Sequence, residues 1–153
     1  MARTVSTAEL VDLVGQDLPV SDWFEITQER VNQFADATND HQFIHVDAEA
    51  AARTPFGGTI AHGFLSTSLV SFFQEQTGVI PEGLVMAVNY GSDKIRYLAP
   101  VRVGARIRSR NRLLSAKEKE PGQWLVKTGV TIEIEGEETP AMIAEILGLF
   151  ITR

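Results

Sequence analysis

Cysteine is absent from the 153-residue chain, which excludes disulfide staples, zinc–thiolate sites and thiol nucleophiles together. No apolar run approaches the roughly 18 residues that a bilayer-crossing helix needs, so a membrane-spanning segment is excluded. The opening Met1-Ala2-Arg3-Thr4-Val5-Ser6 leads into Glu9 and Asp12 without an apolar core. No cleaved secretory leader is therefore expected, and the reading is cytoplasmic. Mass is also limited: 16.8 kDa fits one domain, residues 1–153, and leaves no room for a second catalytic one. Histidine is scarce at three residues, which makes His41, His45 and His62 the first places to look for chemistry.

Positive charge is scarce everywhere except one stretch. Residues 1–93 carry 13 acids and 3 bases, residues 120–153 carry 6 acids and 2 bases, and residues 94–119 carry 9 bases against 1 acid. The net charge of −6 thus hides a basic segment inside an acidic chain. Such a segment attracts a compact anion, for instance a phosphate-bearing ligand, whereas a long nucleic acid meets repulsion from the remainder, so no nucleic-acid partner is expected. Arg106, Arg108, Arg110 and Arg112 recur with period 2, which equally fits a strand whose solvent face is arginine.

The periodicities place helices before strands. Ser6 and Glu9 form a capping box ahead of Leu10, Leu13 and Val14, and predict a short first helix. Trp23-Phe24-Glu25-Ile26 reads as a brief strand. Thr27 caps a helix through Val31, Phe34 and Ala35 that stops near Thr38-Asn39, and Asp47 caps a short helix through Ala52. The rest of residues 39–62 is loop-rich, with Pro55, Gly57 and Gly58 as breakers. From Gly63 to about Gln76 the apolar residues cover more than one face, which predicts a helix buried nearly all round. Alternating, β-branched segments follow at about 84–99, 102–116, 123–136 and 141–152. Four strands in series predict an antiparallel sheet, and the whole predicts an α+β domain with the buried helix against one sheet face.

Two clusters carry chemistry. In Asn39-Asp40-His41-Gln42-Phe43-Ile44-His45 a carboxylate and an imidazole stand five residues apart, which is not a helical neighbour spacing. On a turn followed by extended residues both reach one pocket, with Phe43 and Ile44 as an apolar wall, an arrangement suited to acid–base work on a water molecule. The plainer alternatives are a turn aspartate, a satisfied core histidine at His45 and a solvent-facing His41. A metal held by Asp40, His41 and His45 lacks a further regularly spaced ligand, so none is expected. In Phe56-Gly57-Gly58-Thr59-Ile60-Ala61-His62-Gly63 a glycine-rich loop runs into the buried helix, whose first N–H groups are free to hold an oxyanion. Gly63 has no side chain to obstruct its amide. The plainer alternative is that these glycines allow a tight loop and close packing.

Asp40 with His45, then Thr59-Ile60-Ala61-His62-Gly63, then Arg96-Tyr97-Leu98-Ala99-Pro100-Val101-Arg102-Val103-Gly104 together resemble the MaoC-like dehydratases, from about residue 21 to about 150, most closely the NodN-like and mycobacterial-type single-domain branch. The family commonly reads Gly-Asp-x-Asn-Pro-Leu/Ile-His in the first motif, so Asn39, Gln42 and Phe43 are departures. The resemblance implies a hotdog fold, an antiparallel sheet wrapped around a long central helix at 63–76, and a homodimer with joined sheets. It implies an (R)-specific enoyl-CoA hydratase acting on a coenzyme A thioester, without metal or redox cofactor. Asp40, His45 and Gly63 are then the catalytic residues, and Gln42, His62, Ser66, Lys94 and Arg96 the substrate-binding ones. Rival readings are an acyl-CoA thioesterase, disfavoured because residues 63–74 hold no acid, a hydroxyacyl carrier-protein dehydratase, and a non-catalytic acyl-thioester binding protein.

Overall fold

The computed structural model describes residues 1–153. The elements run β1 (Arg3–Val5), α1 (Thr7–Asp12), β2 (Phe24–Glu25), α2 (Gln28–Thr38), α3 (Phe43–Val46), α4 (Ala48–Ala52), α5 (Gly63–Ser68), α6 (Val70–Thr77), β3 (Val79–Pro81), β4 (Leu84–Tyr97), β5 (Arg106–Glu120), β6 (Gln123–Ile134) and β7 (Met142–Thr152). The three predicted caps form: Ser6 accepts from the Glu9 amide, Thr27 from Arg30 and Asp47 from Ala50. Each satisfies an amide that the first helical turn leaves unpaired. α2 ends as Asn39 turns left-handed at φ 58°, a conformation asparagine tolerates better than most residues.

Five strands form one sheet in the order β2-β5-β6-β7-β4, and every pairing in it is antiparallel. β4 pairs with β7 and not with β5, so the chain crosses between the sheet's two ends after β4 and then meanders back. The sheet curls over α5 and α6 in the α+β hotdog arrangement. Ile26, Val31, Leu65, Phe73, Ile107, Ile132 and Met142 are at most 5% exposed and belong to one core cluster. A small parallel pair, β1 with β3, has no counterpart in the sequence patterns, because three-residue strands are too short to show a period.

Two differences from the sequence reading have visible causes. The central helix is broken at Leu69. Near that point Ser68 Oγ donates to the Phe64 carbonyl at 2.7 Å and Thr67 Oγ1 to the Gly63 carbonyl at 3.3 Å, and such back-bonding bends helices. The strand expected from 102 begins at Arg106, because Gly104 turns at φ 92°. Val101 and Val103 instead bond across to Ala61 and Thr59 at 2.8 and 3.0 Å, fixing the segment that enters α5.

The period-2 arginines do form a strand face. Ile107, Ser109, Asn111 and Leu113 point into the core, while Arg106 pairs with Glu135, Arg108 and Arg110 share Glu133, and Arg112 pairs with Asp17. Lys94, Arg96 and Arg102 make no ion pair. No helix is long and apolar enough to cross a membrane.

Candidate functional site

The site forms where the end of α2, the single turn of α3, and the segment leading into α5 meet. Asn39 reverses the chain and leaves Asp40 facing solvent, its side chain 51% exposed, with Oδ1 accepting from the Gln42 amide at 3.3 Å. His45 lies on α3, a helical turn where extended chain was expected, and is 6% exposed. Its Nδ1 donates to the Ile60 carbonyl at 2.7 Å. A carbonyl can only accept, so neutral His45 carries its proton on Nδ1 and presents Nε2 as a lone pair. Burial lowers the pKa of His45 below the ordinary 6.5; the Ile60 carbonyl pulls the other way, His62 lowers it further and Asp40 raises it. The balance keeps the imidazole neutral and able to accept a proton.

His62 sits behind His45. The rings stack at 3.8 Å with 23° between their planes, and Phe34 packs on His62 at 4.9 Å. His62 Nε2 donates to the main-chain carbonyl of Asp40 at 3.0 Å, which ties the two motifs together, while its Nδ1 is buried without a partner. At 2% exposure His62 forms part of the wall of the site behind His45. One ligand atom each from Asp40, His45 and His62 lies within 4.8 Å of the others, a span one water can bridge. The same three groups are of the kinds that ligate metal ions.

Gly63 opens α5, and its N–H bonds no carbonyl of the chain. A Cβ at this position would lie 3.0 Å from the Tyr97 ring, so the glycine makes room for tyrosine as well as leaving the amide open. Tyr97 completes the contact by hydrogen-bonding Thr67 Oγ1 at 2.7 Å. Ser66 is 3% exposed and closed off inside α5. Gln42 is exposed at the start of α3. Lys94 and Arg96 are exposed on β4, outside the cluster, with the Arg96 guanidinium on the Ile95 carbonyl. His41 faces solvent and pairs with Asp36. Phe43 is 46% exposed, so the apolar wall expected from it comes from Phe34. Beside α6 a groove of about 1010 Å³ runs along β4 and β7.

Tyr97, Gln28 and Thr59 went unnoticed in the sequence as members of this neighbourhood. Tyr97 and Thr59 lie within quoted motifs but were given no role there; Gln28 has no spacing that links it to Asp40 or His45.

Comparison with known proteins gives a match to the MaoC like domain over residues 9–135. The chain is 44% identical over 146 residues to 3-hydroxyacyl-thioester dehydratase Z of Mycobacterium tuberculosis, covering 95% of this chain and 96% of that protein. It is 42% identical over 154 residues to nodulation protein N of Rhizobium meliloti, covering 95% and 91%. Among solved structures, the (R)-hydratase of A. caviae involved in PHA biosynthesis superposes with a TM-score of 0.70 at 24% identity, over 88% of this chain and 94% of that one.

Proposed function

This chain belongs to the MaoC-like family of dehydratases and hydratases, and from that premise we propose that it is an (R)-specific enoyl-CoA hydratase. It adds water reversibly across the double bond of a trans-2-enoyl thioester of coenzyme A, giving the (R)-3-hydroxyacyl thioester. The observation that carries the reading is the solvent-facing Asp40 carboxylate set against buried His45, whose tautomer leaves Nε2 as an acceptor. The name of the mycobacterial relative supports a thioester substrate, and that of the A. caviae neighbour supports the (R) face.

Asp40 and His45 hold one water between them. His45 Nε2 takes a proton as the water oxygen attacks the β-carbon, and the pair returns a proton to the α-carbon, so the elements of one water end in the product. Negative charge gathers meanwhile on the thioester oxygen. The Gly63 amide at the start of α5 receives it, a donor role worth about 3 kcal/mol in comparable sites. The chemistry calls for neither metal nor redox cofactor. With the β5 arginines engaged by carboxylates, Lys94, Arg96 and Arg102 are free to meet the coenzyme A phosphates, and reversing their charge should raise KM more than it lowers kcat. Gln42, exposed beside Asp40, takes the thioester side of the pocket. The working form is a homodimer in which a second copy covers β4 and the groove beside it.

The test is the loss of conjugated enoyl-thioester absorbance when the protein meets crotonyl-CoA and a longer trans-2-enoyl-CoA, with a stereospecific dehydrogenase reporting product chirality. Rapid hydration to the (R) product is expected. Release of free CoA instead would mean a thioesterase, saturable binding without turnover an acyl-thioester binding protein, and preference for carrier-protein substrates a carrier-protein dehydratase.

A further inference from the structure

His45 can act as described only while its ring keeps one orientation, and the local structure that holds it is slight. α3 has four residues, too few to be stable as a helix alone, and its N-cap Gln42 makes no side-chain cap bond. The acceptor of the Nδ1 proton, the Ile60 carbonyl, lies in a segment with no helix of its own. A single carboxamide ties these two pieces together. Gln28, the first residue of α2, donates from Nε2 to the His45 main-chain carbonyl at 2.8 Å and accepts at Oε1 from Thr59 Oγ1 at 2.6 Å. The His45 carbonyl lies at the end of α3, where helical carbonyls lack partners. Thr59 is 7% exposed and directly precedes Ile60. Asn32, one turn along α2, accepts from the same Nε2 at 2.9 Å and fixes which way the amide faces. Both ends of the His45–Ile60 hydrogen bond are therefore tethered to one side chain, 17 residues from His45 and 31 from Thr59.

We propose that Gln28, with Thr59, is a positioning residue: it holds His45 so that Nε2 stays directed at the reacting water. This rests on the reading of His45 as the proton acceptor. Both polar atoms of the side chain are engaged by Asn32, His45 and Thr59, so its loss should act on kcat and leave KM nearly unchanged.

Four variants test it beside His45→Gln. Gln28→Leu removes both bonds; Gln28→Glu keeps the acceptor for Thr59 but sets oxygen against the His45 carbonyl; Thr59→Val removes the hydroxyl at equal size; Thr59→Ser keeps it. Gln28→Leu, Gln28→Glu and Thr59→Val should each lower kcat about 10- to 100-fold, the size of effect that misplacing a catalytic group by an ångström produces, with KM within about threefold. Thr59→Ser should recover most of the rate, and Gln28→Leu with Thr59→Val should be no worse than the poorer single variant, since both cut one linkage. Independently of turnover, the nitrogen-15 NMR signature of His45 should change from a single Nδ1–H tautomer to a mixture in Gln28→Leu. An unchanged kcat with an unchanged tautomer overturns the proposal, as does a rate loss matched by loss of folded protein. If His45→Gln keeps full activity, the reading of His45 falls instead, and the tautomer signature still decides whether Gln28 orients the ring.

Discussion

The stretch from Asp40 to Gly63 and the strand β4 meet solvent in opposite ways. In the first, chain with little regular structure is held at each turn: Asp40 by His62 and Gln42, His45 by Ile60 and Gln28, Ile60 by the Ile44 carbonyl. In the second, β4, one continuous fourteen-residue strand with three register shifts against β7, lies largely bare. Only Leu84 and Ile95 are even half-buried, and Val85, Met86, Val88 and Tyr90 are 45–51% exposed. A long continuous strand is thus no guide to completeness. Asp40, His45 and Gly63 are organised within one chain, whereas β4 is an open sheet edge of the kind that isolated proteins shield with charge, proline or a covering element.

The largest effect should come from breaking the first region while sparing the second. Asp40→Asn and His45→Gln remove the proton carriers and should each lower kcat/KM by about 10²- to 10⁴-fold, the span of general acid–base contributions. Sedimentation and melting temperature should stay near those of the parent protein. Activity within a factor of a few for both would remove them from the reaction.

The converse substitution is Val88→Lys, at the exposed edge and beside the groove. If a second copy covers β4, this buries an unpaired charge at a cost of about 3–5 kcal/mol, or roughly 10²- to 10⁴-fold in dimer affinity. Sedimentation should then show monomer at concentrations where the parent is dimeric. A dimer of undiminished affinity would place the joint elsewhere.

The same contrast explains what the sequence let through. Long elements with a period, α2 and the four long strands, were legible, as were the caps at Ser6, Thr27 and Asp47, because each rests on interactions within a few residues. Asp40, His45 and Gly63 were found as a pattern. Their assembly was not, since it depends on contacts such as Gln28 to Thr59 and Gly63 to Tyr97 that join distant residues with no shared period. The break at Leu69 was missed for another reason: serine and threonine in a buried helix signal small size as readily as back-bonding. The arginine face read equally as an anion site or a solvent face, and the partners that settle it, Glu133, Glu135 and Asp17, lie on other segments.

A smaller effect tests whether Gly63 is there for Tyr97. Gly63→Ala sets a methyl 3.0 Å from the ring, and overpacking of this kind costs about 1–3 kcal/mol. Truncating the ring relieves it, so Gly63→Ala with Tyr97→Ser should be less destabilised than the two single changes summed, as chemical denaturation would report. Strict additivity would mean that the ring moves aside freely and that the glycine serves the open amide alone.

The smallest effect separates the His45 site from the arginine face of β5 by pH. His45 binds a proton less readily folded than unfolded, chiefly because it is buried. Between its folded pKa and the ordinary 6.5 the unfolded chain therefore holds more protons, and stability rises with pH across that window. The acid limb of kcat/KM should fall in the same window, below 6.5, because the proton acceptor is the neutral ring. Glu133 behaves alike in a lower range: its partial burial opposes ionisation, but hydrogen bonds from Arg110 and Arg108 outweigh that and hold its carboxyl below 4.5. Its contribution is present above 4.5 and is lost as pH falls further. Denaturation titrated against pH should thus show two steps. His45→Gln should flatten only the upper one, and Glu133→Gln should shrink only the lower, to which Glu135 beside Arg106 also contributes. Loss of the upper step in Glu133→Gln would couple the His45 site to the arginine face of the sheet.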